Sequence, residues 1–269
     1  MTGFSADWLA LREPHDARAR NPTVLDAVVA SLAGNTSIRI VDLACGTGST
    51  LRALAPRLPA GQDWRLVDND LNLLARASDM ARPAGVALTT APIDLNHDLE
   101  AALDGPIDLV TTSALLDLVS EAWLDRLAVE TLARSIPVYA ALSYDGRIEI
   151  SPSYPLDAAI IAAVNAHQRR DKGFGPALGP TAASAAIARF ESLGCAVIHG
   201  KADWIIGPQD REFQMEIFSG WASAVRELGD LSLGDIVEWL TWRRDAVAAG
   251  CSSIRVGHVD IFARPTGTR

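Results

Sequence analysis

The chain of 269 residues is short of several things, and each shortage closes off a class of protein. It has only three cysteines, Cys45, Cys195 and Cys251, odd in number and far apart. They make neither a disulfide framework nor the paired spacing of a metal site, and a reducing cytoplasm is the simplest home. Long apolar runs are missing: stretches such as "DAAIIAAV" fall far short of a bilayer span, so no membrane span is expected. The start, "MTGFSADWLALREPHD", has no basic segment followed by an apolar core, so no secretory signal is expected. Positive charge is also scarce, with a formal net charge of −9. Affinity for polyanions comes from basic surfaces that neutralise phosphates, so no nucleic-acid partner is expected. Heptads, low-complexity tracts and fixed-period repeats are absent as well.

What is present is enough to build a core. Hydrophobic residues make up 49% and charged residues 21%, the balance of a globular protein of one large domain. Seven β-like runs stand out: "IRIVDLA" (38–44), "WRLVD" (64–68), "GVALTTAPID" (85–94), "IDLVTTS" (107–113), "IPVYAALS" (136–143), "CAVIHG" (195–200) and "IRVGHVDIFA" (254–263). The first, fourth and fifth are almost continuously apolar, as strands covered on both faces of a parallel sheet are. Helical patterns fall between the runs at 48–57, 70–82, 120–134 and 181–193. Ser120 caps the third of these ahead of Glu121, and Gly194 stops the fourth. Strand and helix in alternation predict a doubly wound α/β sheet.

Three parts exceed the alternation. Residues 1–35 read as two helices split at Asn21-Pro22. Residues 144–180 hold a helix around 156–170 and then the loop "DKGFGPALGP". Residues 207–252 read as helices over 209–228 and 232–249. No linker sets them apart, so the expectation is a single domain over 1–269: an N-terminal helical cap, a core at 36–143, and two helical insertions covering one edge of it.

The turn after the first strand is "VDLACGTGST", Val41 to Thr50, with glycines at Gly46 and Gly48. Glycines there let backbone amides approach a ligand, and the next helix points its N-terminal amides at it. Asp68 follows Gly48 by twenty residues and ends the second strand, where an acid can hold both hydroxyls of a ribose. The alternative is a bare strand-to-helix turn and a solvated strand end. A nicotinamide fingerprint needs a third glycine where Leu51 stands, and a phosphate-binding loop needs a lysine that "GTGST" lacks.

"VDLACGTG" resembles the first motif of class I S-adenosylmethionine-dependent methyltransferases, and the likeness covers about 36–143 well. The resemblance implies a seven-stranded, mostly parallel sheet whose last strand is antiparallel and inserted between the fifth and sixth. It implies S-adenosylmethionine as cofactor and no metal. By position, Asp42 would help hold the methionine amino group. Gly46 and Gly48 would line methionine and ribose. Asp68, followed by Asn69, would take the ribose hydroxyls. Asp94 would meet the adenine amine beside the amide of Leu95. Ser113 and Ala114 would lie beside the sulfonium. Ala44 departs from the pattern, since many members have glycine there, and a slight change in close packing is expected. Arg20, or Arg12, would reach the cofactor carboxylate from the N-terminal helices; a solvated face paired with Glu13 and Asp16 is the other reading.

The acceptor should be written in the loops over the site. "SALLDLVS" lacks the Asn/Asp-Pro-Pro-aromatic signature of enzymes that methylate amide or adenine nitrogens. No acidic set of the magnesium-dependent kind stands in place, Asp117 being the exception and a candidate catalytic residue. A thick helical cover implies a closed pocket and a small organic acceptor, methylated at O, N or C. Within it, "NAHQRRDKGFG" places His167 and Asp171 four apart, on one face if the helix continues that far. Either could act as base beside Arg169, Arg170 and Lys172, or the segment is a solvated helix end. Trp204, Trp221, Trp239, Trp242, Tyr144, Tyr154 and Phe174 read as core before they read as a ligand box. The rivals are an RNA or protein methyltransferase, and a regulatory protein that binds S-adenosylmethionine without transferring from it.

Overall fold

The computed structural model describes residues 4–80 and 83–266. Five parallel strands form one half of the sheet: β1 (Ile38–Leu43), β2 (Gln62–Asp68), β3 (Val86–Pro92), β4 (Leu109–Ser113) and β5 (Val138–Ser151). β6 (Cys195–Lys201), the short β7 (Trp204–Ile206) and β8 (Ser253–Pro265) complete it. The order is β3-β2-β1-β4-β5-β8-β6, with β8 antiparallel to both neighbours. The doubly wound sheet with its last long strand inserted antiparallel between the fifth and sixth is therefore as expected. β7 keeps the register that β6 has on β8, and the Ala202 amide donates to the His258 carbonyl at 2.8 Å between them. It is the same edge strand resumed after a break.

Strand order reverses between β1 and β4, and in such sheets the crevice for a ligand opens at the strands' carboxyl ends. Local chemistry sets the helices around it. Ser5 caps α1 (Ala6–Ala19), its hydroxyl accepting from the Trp8 amide at 3.1 Å. Asn21 caps α2 (Pro22–Leu32), where Pro22 fits the first turn, so the expected split holds. α3 (Ser49–Leu54) follows the glycine turn. α4 (Leu71–Ser78) is shorter than the expected 70–82, of which residues 81 and 82 lie outside the described residues. The single-turn α5 (Leu99–Ala102) falls outside the helical patterns of the sequence. α6 (Glu121–Ala133) starts at Ser120, which accepts from the Trp123 amide at 3.2 Å.

The cover consists of α7 (Asp157–Gln168), α9 (Arg211–Leu228) and α10 (Leu233–Ala248), while α8 (Ala182–Ser192) returns to the sheet. One boundary differs. Residues 144–151, expected to begin the first insertion, continue β5 against β8. Tyr144, Ile148 and Ile150 there join Ile254 and Val256 of β8 in a third hydrophobic core, roofed by Ile160, Val164, Phe213, Ile217 and Trp239. The alternation of apolar residues in "YDGRIEIS" is the strand signal, and Gly146 masks it. The two other cores lie on the opposite faces of the sheet.

Arg243 fixes α10 to the rest of this cover. It is fully buried, donates to the Pro152 carbonyl at 2.8 Å, pairs with Asp157 and lies 4.8 Å from the centroid of Trp242. Trp239 Nε1 donates to the same Asp157 carboxylate at 2.9 Å. Removing the cation strands a largely buried carboxylate, which costs about 3–5 kcal/mol in such pairs. Arg243→Ala is expected to lower the stability measured by urea unfolding by that amount, and a loss below about 1 kcal/mol would refute the clamp.

Candidate active site

A cavity of about 1440 Å³ sits over the carboxyl ends of β1 to β5. Its floor begins at the glycine turn. Ala44, Gly46 and Gly48 all have left-handed backbones, with φ of 52°, 54° and 83°. For Ala44 this conformation costs about 1–2 kcal/mol, so its departure from glycine is felt as backbone strain rather than as packing. Gly46 lines the cavity, and a Cβ added there would lie 3.1 Å from Leu9 of α1. Gly48 does not line it; an added Cβ would collide with the Met80 methyl.

Asp68 is the organising side chain. One carboxylate oxygen accepts from the Gly46 amide at 2.9 Å and the other from the Asp70 amide at 3.0 Å. The end of β2 thereby holds the turn after β1, with lone pairs left over toward the cavity. Asn69, Asp94, Leu95, Ser113 and Ala114 also line the cavity. Asp94 accepts from His97 Nδ1 at 3.0 Å and from the Asn96 amide at 2.9 Å, which together hold its carboxyl below the usual range. The Leu95 carbonyl is fixed by Trp123 Nε1 at 2.7 Å.

Two residues expected to touch a cofactor lie beneath the floor instead. Asp42 is fully buried, accepts from the Thr111 hydroxyl at 2.8 Å, and has a second oxygen without a protein partner. Burial pushes its carboxyl up to about 7, against the opposing Thr111 bond and the charge of Arg20. Arg20 donates to Tyr139 at 3.2 Å, and Tyr139 donates to Asp260 at 3.1 Å. That anchors α1 and α2 to β5 and β8. The cation that α1 gives to the cavity is Arg12, buried against Trp204 at 4.9 Å and paired with Asp16 at 2.9 Å.

The inner end of the cavity is built by residues whose sequence signal is faint. Asp117, from the loop after β4, is buried and one of its oxygens has no protein partner. Burial raises its pKa, opposed by hydrogen bonding and by Arg12 and Lys172. Tyr144 of β5 and Trp204 of β7 flank His258 of β8, with ring centroids at 6.1 and 4.8 Å from its ring. Burial pushes His258 down to about 3, so it is neutral, with Nδ1 3.1 Å from the Val256 carbonyl. Nothing in "IRVGHVDIFA" marks that histidine, because only strand pairing turns it inward.

His167 and Asp171 separate. α7 ends at Gln168, so the two do not share a helical face. His167 lines the cavity, with Nε2 3.0 Å from Glu227 and Nδ1 3.3 Å from Lys172. Asp171 lies outside the lining, and its carboxylate accepts from the amides of Gly173 and Gly175 at 2.7 and 3.0 Å. It shapes the loop rather than the cavity wall. The cover is also less closed than expected: Asn69, Leu71, Gly220 and Ser223 line the cavity and are exposed, so it opens to solvent between α4 and α9. Among the described residues no group of three His, Cys, Asp or Glu could hold a metal ion.

Residues 40–135 match the family model of a methyltransferase domain. Solved structures share the fold at low identity. A cyclopropane-fatty-acyl-phospholipid synthase-like protein from Lactobacillus casei matches with a TM-score of 0.56 and 12% identity, over 97% of this chain and 94% of that one. The cyclopropane synthase MmaA2 from Mycobacterium tuberculosis matches at 0.51 and 10%, over 97% and 95%. The YcgJ protein from Bacillus subtilis matches at 0.51 and 15%, over 92% and 100%. No curated protein sequence matches the chain.

Asp42 makes stability depend on pH. Its carboxyl moves from 3.8 to about 7 on folding, so the folded state keeps a proton that the unfolded chain releases between those values. Its contribution therefore falls as pH rises from about 4 to about 7 and is constant above, with a slope of about 1.4 kcal/mol per pH unit inside that window. His258, held neutral, acts in the opposite direction below 6.5. Comparison with Asp42→Asn isolates the carboxyl: the variant is expected to gain stability on the wild type between pH 5 and pH 8 in urea titrations. Parallel pH profiles for the two proteins would refute the raised carboxyl.

Proposed function

We propose that this chain, whose core is a class I S-adenosylmethionine-dependent methyltransferase domain, transfers a methyl group from S-adenosylmethionine to a small organic acceptor. The observation that carries the reading is one continuous cavity. It joins the Asp68–Gly46 cradle to the buried end at Asp117, Tyr144 and His258. Pockets for a single ligand measure roughly 300–1,000 Å³, and this one, at about 1440 Å³, has room for two.

The cradle fits the cofactor chemically. Asp68 keeps free lone pairs where ribose hydroxyls would bond, Asp94 and Leu95 stand where an adenine edge would lie, and Gly46 leaves space that a side chain would fill. Ser113 and Ala114 are assigned to the side of the sulfonium. When bound, S-adenosylmethionine supplies a methyl group already activated on a positive sulfur. The protein's part is then to position the acceptor, exclude water and hold a departing proton. Asp117 is the group assigned to hold that proton, as a buried carboxyl that lines the cavity. His167, tied to Glu227 and Lys172, is assigned to the cavity rim. Arg12 replaces Arg20 as the cation presented to the ligands.

A net charge of −9 and a buried inner end favour a small acceptor over RNA or protein. Among the described residues no helix is long and apolar enough to cross a membrane. Asp68→Ala is expected to weaken binding of S-adenosylhomocysteine in calorimetry by about 1–3 kcal/mol, the scale of lost hydrogen bonds to a charged group. Unchanged affinity would remove Asp68 from the cradle. Transfer of labelled methyl from S-adenosylmethionine across a panel of small acceptors separates an enzyme from a protein that only binds the cofactor. In the same assay, unchanged turnover and affinity in His167→Ala would take that residue out of the site.

A further inference from the structure

The inner end of the cavity has a composition that narrows the acceptor, granted the methyltransferase reading above. Its walls are apolar and buried: Leu142, Tyr144, Val164, Trp204, Ile217 and Val256. His258 is seated between two of the aromatic rings and is itself neutral. Asp117 also lines the cavity. Asp117 is 7% exposed, and its Oδ1 has no protein hydrogen-bond partner. A buried carboxylate oxygen without a donor is costly, and a ligand that brings a donor would remove that cost.

Charge decides what kind of donor that is. Two cations, Arg12 and Lys172, already act on Asp117. A further ammonium would bring a third positive charge into a low-dielectric chamber, and an ionised carboxylate has no hydrogen to donate to that oxygen. A neutral hydroxyl meets the unpartnered oxygen without either drawback. Aromatic walls favour a flat apolar body behind it, since ring edges and faces attract one another in offset or edge-on contact. We infer that the inner end is the acceptor subsite and takes a neutral aromatic alcohol. Its hydroxyl donates to Asp117 Oδ1 and its ring lies against Tyr144 and Trp204. The methyl-accepting atom is then the hydroxyl oxygen, placed at the boundary with the cofactor cradle. That oxygen bonds to the methyl carbon as the carbon–sulfur bond breaks, its proton passes to Asp117, and S-adenosylhomocysteine leaves with the sulfur's electron pair.

The test uses the full chain saturated with S-adenosylhomocysteine and two probes of nearly equal shape, 2-naphthol and its methyl ether 2-methoxynaphthalene. Calorimetry is expected to show 2-naphthol binding at least tenfold more tightly than the ether. Asp117→Ala is expected to bring the two within about threefold of each other while S-adenosylhomocysteine still binds. Val164→Phe, which fills the chamber, is expected to weaken both probes at least tenfold. Equal binding of the two probes to the wild-type protein, or no binding of 2-naphthol, overturns the proposal and leaves the cofactor reading standing. Failure of S-adenosylhomocysteine itself to bind overturns both. The probe comparison is made on the wild-type protein and does not depend on any variant folding.

Discussion

A single carboxylate ties the site together. Asp68, at the end of β2, accepts the Gly46 amide from the turn after β1. The two strands already run side by side, and this bond fixes the loop that follows one of them to the tip of the other. It sets the amides of the glycine turn before any ligand arrives, so less freedom is lost on binding. It also depends on the left-handed backbone at Ala44, Gly46 and Gly48, which bends the chain back toward β2. The strand-order reversal between β1 and β4 then leaves the space beside this turn unfilled by any neighbouring crossover.

The second determinant is the long β5–β8 pairing. Beyond the sheet proper, β5 runs on to Ser151 with β8 beside it, carrying Tyr144 and His258 past the glycine-turn cradle. Two register shifts in this ribbon turn it over the cavity, and Asp260 accepts the Leu142 amide at 2.8 Å at the first of them. α7, α9 and α10 pack on the ribbon through the third core, held by Arg243 and Asp157. The inner chamber is therefore an outgrowth of the sheet roofed by helices, and the cradle is a property of the sheet's edge. The two halves of the cavity have separate structural origins, so the inner chamber can change while the glycine-turn cradle stays as it is.

Most of the fold is legible in the sequence because its signals are local. Seven strand runs, the Ser120 cap, the split at Asn21-Pro22 and the Gly194 stop each depend on a few neighbouring residues, and each is found in the structure. The strand over 144–151 escapes such a reading because Gly146 and charged residues interrupt its apolar alternation, and its partner lies more than a hundred residues away. Asp171 misleads for a related reason. A spacing of four has meaning only inside a helix, and α7 stops three residues before it. Arg12 and Arg20 are alike in sequence, eight residues or about two helical turns apart; only packing sends one toward the cavity and the other under the floor.

The sequence by itself determined the glycine turn, the acid at its required distance and the order of strands and helices, because close backbone approach and hydrophobic periodicity are short-range constraints. It thereby determined the kind of cradle the chain builds. The tertiary structure decided which charges are buried without partners, which histidine faces inward and how far the cover closes. Those properties arise when residues from α1, β4, β5, β7 and β8 converge on one chamber. Solvent exclusion, which turns an ordinary aspartate such as Asp117 into an unsatisfied acceptor, exists only after that convergence.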